Sequence, residues 1–306
     1  MQALAERLDH VASGRALEKI ALLGFSSLKT YAPSTEELYG RVLESVTRRG
    51  KYLVWTFAGG LRIAVHLSQA GRVDVESPPK ATQPRGKVAR FIFSGGATPA
   101  AVGATATASA SATATADLPS DAFEDGSPLA ILIREHGTQR KASWWVLAPG
   151  DEGPMEGLGP EPGSEAFAEL IRTSTSTRRL HTDLRDQRVI AGIGRGWGDD
   201  ILHRAHLSPF ASLGSLNAEE RERLLAATTS VLDEALALER RRGGGLSEAK
   251  LGGRFAIHGR FGQLCPTPCG DQLRRVSFES YEMTYCATCQ TGGKVLADRR
   301  MSRLLK

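Results

Sequence analysis

The sequence predicts an α+β protein of more than one domain, and three observations carry that prediction. Short apolar segments with strand-like alternation fill the first half, and helical periodicity fills most of the second. All four cysteines of the 306-residue chain then fall in one stretch, CPTPCGDQLRRVSFESYEMTYCATC (265–289), set as two close pairs. At 306 residues and 41% hydrophobic content the chain can build about two cored domains and a small appendage.

From the N-terminus, QALAERLDHVA (2–12) carries Leu4, Leu8 and Val11 at helical spacing and predicts an amphipathic helix whose start is abrupt. KYLVWTF, LRIAVHL, VARFIF, LAILIRE and SWWVLA follow, each bounded by Gly, Pro or polar turns, and predict strands in a domain over 1–150. Between VARFIF and LAILIRE, residues 94–128 are nearly all Ala, Thr, Ser, Gly and acidic groups. They lack apolar bulk to offset ordering entropy, so a disordered insertion in a hairpin is expected. A Pro- and Gly-rich linker, APGDEGPMEGLGPEPGS, leads to a helical domain over 158–243. Its segments are EAFAELIRT, TRRLHTDLRDQRVI, DDILHRAHL and NAEERERLLAATTSVLDEALALERRR, with Asn217 and Glu220 spaced as a capping box. A basic, glycine-rich linker precedes a last module over 254–306, in which Gln272 to Phe278 and Tyr281 to Tyr285 read as two strands.

The cysteines are spaced Cys-x3-Cys-x16-Cys-x2-Cys at Cys265, Cys269, Cys286 and Cys289. Residues 1–20 show no basic start followed by an apolar run, so a reducing compartment is expected and disulfides are not. The spacing fits a structural zinc ion held by four thiolates, with redox thiols as the alternative. A closed four-thiolate cage staples a fold and does no chemistry, so its purpose must be read from charge. From Glu239 to Lys306 there are 13 Lys plus Arg against 6 Asp plus Glu, a balance of +7 where the whole chain carries +5. Such a balance suits counterion-releasing contacts with nucleic-acid phosphates. No apolar run approaches the roughly 18 residues of a membrane helix, so no membrane partner is expected.

DQRVIAGIGRGWGDDILHRA (186–205) places glycines at 192, 194, 196 and 198 between two helices. Glycines let the backbone approach a partner closely, and a helix starting just after them offers free N–H groups to an anion such as phosphate. On that segment alone, tight helix packing explains the glycines equally well.

In order along the chain, RRGKYLVWTF, HLSQAGRV, LGPEP, DQRVIAGIG with DDILHRA, GRFGQLCPTPCG and YCATCQ resemble the formamidopyrimidine-DNA glycosylase and endonuclease VIII family of base-excision repair enzymes. The resemblance implies an N-terminal β-sandwich, a helix-two-turns-helix domain and a C-terminal zinc β-hairpin, with double-stranded damaged DNA as partner. It implies a glycosylase that removes oxidised bases and cleaves the abasic site by β-elimination; a non-catalytic binder of damaged or abasic DNA is the alternative, and a zinc-stapled regulatory DNA-binding protein a third. A monomer working in the cytoplasm at the nucleoid is expected.

The same resemblance assigns residues. Lys51 matches a lysine that contacts phosphate and transfers a proton during β-elimination, and Gln69 falls in a turn that fills the gap left by a flipped base. Arg140, in GTQRKAS, falls at an inserting loop whose aromatic is replaced by Ala142. His181 matches a position near the lesion that is often lysine. Arg195 stands at a phosphate-binding asparagine, and Arg260, Arg274 and Arg275 are expected on DNA. Tyr281 stands where an arginine credited with δ-elimination is usual; Arg274 or Arg275 could substitute. The family's catalytic amine is that of a proline in Pro-Glu-Leu-Pro-Glu-Val, whereas this sequence begins Met1-Gln2-Ala3-Leu4, with Met1 at the place of the valine. A start placed six residues late, or loss of the nucleophile, would each explain this. The changes at Ala142 and around Gln69 lean the expected lesion toward oxidised pyrimidines or abasic sites.

Overall fold

The computed structural model describes residues 1–82, 85–95, 126–136, 141–241, 253–278 and 281–297. Its internal contacts divide the chain into one unit of Met1–Glu156 with Leu238–Lys250 and another of Gly157–Ala237 with Leu251–Lys306.

The first unit opens on α1 (Gln2–Ala12), with Met1 at the N-cap position and no side-chain cap. Leu8 is the centre of the buried face; Ala3, Ala5 and Ala12 are buried around it, and Leu4 and Val11 are partly covered. Eight strands follow: β1 (Leu17–Leu22), β2 (Leu43–Arg49), β3 (Tyr52–Phe57), β4 (Arg62–His66), β5 (Gly71–Glu76), β6 (Lys87–Phe93), β7 (Leu129–Glu135) and β8 (Ser143–Leu147). They form two antiparallel four-stranded sheets, ordered β1-β6-β7-β5 and β2-β3-β4-β8. Alternate side chains of the two sheets meet in one core. Trp55 of one sheet stands edge-on to Phe91 of the other with ring centroids 4.8 Å apart, and Phe91 meets Trp144 at 5.2 Å. Asp9 of α1 accepts a hydrogen bond from the Val46 backbone N–H (2.6 Å), which ties the helix to β2. β6 and β7 pair through Phe93 and Leu129, the hairpin expected there; of the insertion itself, residues 96–125 lie outside the described residues.

The second unit contains α2 (Glu165–Thr173), α3 (Leu180–Arg185), α4 (Arg195–Arg204), α5 (Ala218–Arg241, through Ala237 in this unit), β9 (Leu273–Phe278), β10 (Tyr281–Cys286) and α6 (Ala287–Thr291). Ser164 caps α2 by accepting from Phe167 N (3.1 Å). α5 starts on the expected capping box: Glu220 N donates to Asn217 Oδ1 (2.9 Å) and Asn217 N donates to Glu220 Oε2 (3.0 Å). Phe167, Ile171, Leu184, Ile201 and Leu224 are among its fully buried residues.

LGPEP, at the end of the Pro- and Gly-rich linker, is bonded into the second unit: Gly159 N donates to Gln187 O (2.9 Å), Ala191 N donates to Pro160 O (3.0 Å), and a Cβ on Gly159 would overlap the Val189 carbonyl. One expectation needs correction here. The glycine segment does not end where a helix begins, because Gly196 and Gly198 lie inside the first turns of α4. A Cβ on Gly196 would overlap the Phe255 ring, which decides in favour of close packing at that position.

Candidate nucleic-acid interface and metal centre

In the first unit, sheet register brings two of the predicted sites, Lys51 and Gln69, to one end. Tyr52, His66 and Ser143 lie in one row across β3, β4 and β8. Lys51 immediately precedes the first of these, Gln69 follows the second, and Ala142 precedes the third. Lys51 sits in a two-residue hairpin turn closed by the Arg49–Tyr52 pair. Gly50 in front of it adopts φ 57°, as the first position of a type II′ turn requires. Gln69 is exposed at the tip of the turn that carries the chain from one sheet to the other. That turn closes through Gly71 N to Leu67 O (2.9 Å), and any side chain at Gly71 would overlap the same carbonyl.

Arg140 lies outside the described residues, but both ends of its turn are placed. His136 N donates to Ala70 O (3.0 Å), which fastens the end of β7 to the turn bearing Gln69. The buried Glu135 carboxylate accepts from Lys141 N (2.8 Å) and Ala142 N (3.0 Å). Ala142 itself is buried in the sandwich core, so its small side chain reflects packing, and the lean toward oxidised pyrimidines loses that support. His66 was not singled out from sequence. Its ring lies 5.0 Å from Tyr52, and burial, then the charge of Lys51, hold its pKa below the usual range, so it is neutral near pH 7.

In the second unit the four cysteine sulfurs lie within 4.8 Å of one another. Cys265 and Cys289 Sγ are 3.9 Å apart, and Cys269 and Cys286 Sγ are 3.6 Å apart. A tetrahedral ion with metal–sulfur bonds of about 2.3 Å places its sulfurs about 3.8 Å apart, whereas a disulfide needs about 2.05 Å. The donor set therefore fits a metal ion held by four thiolates. Thr267 Oγ1 lies 3.1 Å from Cys265 Sγ and 3.0 Å from Cys289 Sγ.

One face of α4 holds the segment that leads into this cage. Asp200, 4% exposed, accepts three backbone N–H groups: Ala256 to Oδ2 (2.7 Å), and Ile257 (3.0 Å) and His258 (3.2 Å) to Oδ1. Burial raises its pKa, and those three donors oppose the rise. Asp199 Oδ2 lies 2.6 Å from His258 Nδ1 and accepts Thr284 N (3.0 Å). His203 Nε2, one turn on, lies 3.2 Å from Cys265 Sγ. None of these three was identified from sequence.

His181 is placed differently from expectation. It is fully buried, its Nε2 3.1 Å from Asp199 Oδ1 without good hydrogen-bond alignment, and its ring stacks on Tyr281 at 5.6 Å. A direct contact with DNA is thus closed to it. Tyr281 is also buried; its hydroxyl lies 3.1 Å from Thr182 Oγ1, and the Arg185 guanidinium covers its ring at 3.5 Å.

The cations at the surface of this unit do face solvent. Arg195 is exposed as the first residue of α4, and no ion pair involves it among the described residues. Arg172, Arg178, Arg204 and Arg223 are by contrast paired with carboxylates on the helices. Arg274 and Arg275 are exposed on β9, at 3.6 Å from Asp271 and 3.8 Å from Glu282, and Arg275 also covers the Phe261 ring at 4.7 Å. Arg260 lines an open groove of about 350 Å³ with Gly253, Phe255, His258, Gly259 and Gln263. Among the described residues no helix is long and apolar enough to cross a membrane.

A β-sandwich unit and a helical unit bearing a hairpin with four clustered thiols and exposed arginines fit a class of protein that binds DNA and can hold a metal ion. The chain belongs to the formamidopyrimidine-DNA glycosylase family: residues 1–103 match the model of its N-terminal domain, and residues 158–245 match that of its H2TH domain. A formamidopyrimidine-DNA glycosylase of Thermus thermophilus is 31% identical over 270 residues, spanning 83% of this chain and 84% of the relative. An uncharacterized formamidopyrimidine-DNA glycosylase-like protein of Mycobacterium tuberculosis is 47% identical over 152 residues, 49% of this chain and 94% of the relative. The crystal structure of the MutM (Fpg) protein of Thermus thermophilus superposes with a TM-score of 0.70 at 27% identity, over 96% of this chain and 97% of that one. The Lactococcus lactis enzyme bound non-covalently to DNA with an abasic site shares the fold with a TM-score of 0.73 at 18% identity, over 94% and 97%.

Proposed function

We propose that this protein is a base-excision DNA glycosylase that removes oxidised bases from damaged duplex DNA and cleaves the resulting abasic site. The single observation carrying this reading is the match of both family domains, in order, to a chain whose cysteines form a four-thiolate cage. The protein acts as a monomer on chromosomal DNA in the cytoplasm. The metal is zinc; when bound it closes the hairpin and supplies no reactive group.

Each residue role follows from charge and placement. Arg195, with the N-terminus of α4 behind it, takes a backbone phosphate and positions the duplex without reading bases. Arg260, Arg274 and Arg275 add phosphate contacts from the metal module. Lys51, in the hairpin turn beside His66, offers its ammonium to a phosphate near the reacting sugar. Gln69 and Arg140 enter the space vacated when the damaged nucleotide is turned out of the stack. Strand cleavage needs an unprotonated amine at the sugar carbon. In the family that amine belongs to the proline of a Pro-Glu-Leu-Pro-Glu-Val segment.

The test is strand cleavage of end-labelled duplexes, each with one lesion, by the chain carrying that segment. The set includes a formamidopyrimidine, an oxidised pyrimidine and an abasic site. Cleavage at the lesion is expected with at least one oxidised base. Tight binding of all three without base release would identify a non-catalytic binder of damaged DNA.

A further inference from the structure

α4 meets the metal module through a set of polar side chains on one face. Asp199, Asp200 and His203 stand at positions i, i+1 and i+4, all at most 5% exposed, and each reaches a different part of the C-terminal segment. The two aspartates hold backbone and His258. The histidine alone touches the metal cage, with Nε2 3.2 Å from Cys265 Sγ.

The chemistry of that contact is constrained. A metal-bound cysteine is a thiolate, which can only accept a hydrogen bond, so the facing ring nitrogen must be the one carrying the proton. His203 is not a fifth member of the ligand set, because the ligand atoms that lie mutually within 4.8 Å are the four sulfurs alone. Four thiolates around a divalent ion leave a net charge of two minus, and each N–H or O–H donor aimed at a sulfur reduces the cost of concentrating it. Thr267 offers one hydroxyl proton to be shared between two sulfurs. His203 supplies Cys265 with a donor that comes from another element of the fold.

We propose that His203 is a positioning residue for the metal: its Nε2–H donates to the Cys265 thiolate, quiets that sulfur and fastens the metal cage to α4. The proposal rests on the reading of the cage as a zinc site. It makes the metal's hold depend on a residue 62 positions before the first ligand, on the same helix whose other end presents Arg195.

The experiment uses the full chain, and elemental analysis comes first. Absence of metal in the wild-type protein would sink the zinc reading itself, and the proposal with it. With metal present, the zinc release rate to a chromogenic chelator is compared for the wild type, His203→Phe and His203→Gln. Phe keeps the volume and removes the donor; Gln keeps a donor near the Nε2 position. Release about 10-fold faster in His203→Phe, near wild type in His203→Gln, is expected. In the cobalt-substituted proteins the sulfur-to-metal charge-transfer band should move to lower energy in His203→Phe only. Equal release and spectra in the wild type and His203→Phe would overturn the proposal, as would equal acceleration in both variants with no band shift, which is a packing effect. A wild-type cobalt spectrum of three thiolates and one nitrogen would also overturn it by making His203 a ligand. In wild-type protein loaded with cadmium-113 and labelled with nitrogen-15, a coupling from metal to the Nε2 proton is expected with no directly bonded metal–nitrogen coupling. This measurement decides the point even where a variant does not fold.

Discussion

Asp200→Ala should unfasten the segment that leads into the metal cage, and the size of the effect can be worked from three hydrogen bonds. The carboxylate accepts Ala256, Ile257 and His258 backbone N–H groups at 2.7, 3.0 and 3.2 Å. Truncation leaves the Ile257 N–H buried without its acceptor, a loss of about 1–3 kcal/mol, and removes two charge-assisted bonds at partly exposed groups, about 1 kcal/mol each. Burial of the carboxylate, which raises its pKa, returns part of that sum on removal. A net destabilisation of about 3 kcal/mol remains, and for a unit of this size it lowers Tm by about 10 °C. Asp200→Asn keeps Oδ1 for Ile257 and His258 but turns an amide N–H toward the Ala256 N–H, so a loss of roughly half that size is expected. Calorimetry of the DNA-free, metal-loaded protein measures both, and limited proteolysis should show new cleavage between 253 and 263 in the Ala variant. A melting temperature within about 2 °C of wild type for Asp200→Ala would refute the reasoning, because the three bonds would then be replaced by water without cost.

Two further outcomes follow from the cage and the basic surface. Elemental analysis should find one zinc per chain, and Cys265→Ser should lower both metal content and DNA affinity; unchanged values for both would remove the cage from the account. Arg195→Ala should weaken binding to damaged and undamaged duplex alike and reduce the slope of log affinity against log salt by about 1, as expected for one lost phosphate contact. A variant with changed lesion preference and intact affinity would move Arg195 from phosphate to base.

How much of this was legible in the sequence depended on whether the deciding partner was near in the chain. The cage was legible because its four ligands sit within 25 residues and their spacing is a property of metal geometry. β3, β4, β6, β7 and β8 were legible because they carry runs of large apolar groups. β1, β2 and β5 were missed: LEKIAL and LESVTRR dilute their apolar positions with exposed charges, and GRVDVE carries Asp74 and Glu76, which are covered by pairing with Arg134 and Arg90. The start of α4 was missed because glycine argues against helix, and the reason for Gly196 is a ring at Phe255, nearly 60 residues away. Asp199, Asp200, His181 and His203 read as surface groups by residue type, and only their tertiary partners make burial tolerable. The convergence of Lys51 and Gln69 is a consequence of register, which periodicity alone does not fix.

The central claim is that this fold performs amine chemistry on a damaged nucleotide, and borohydride trapping tests it most directly. A Schiff base between protein and abasic DNA is reduced to a stable adduct only while the amine is bonded to the sugar carbon. With Met1 at the place of the valine, five residues of extended chain, roughly 17 Å, separate its amine from where the family's proline sits. Lys51 beside phosphates keeps its proton. The 306-residue polypeptide as it stands should therefore give no adduct, and the same chain with Met-Pro-Glu-Leu-Pro-Glu-Val in place of Met1 should be trapped. Trapping of the shorter polypeptide, lost in Lys51→Ala, would contradict the placement of the nucleophile, and failure of both polypeptides to be trapped would contradict the enzyme.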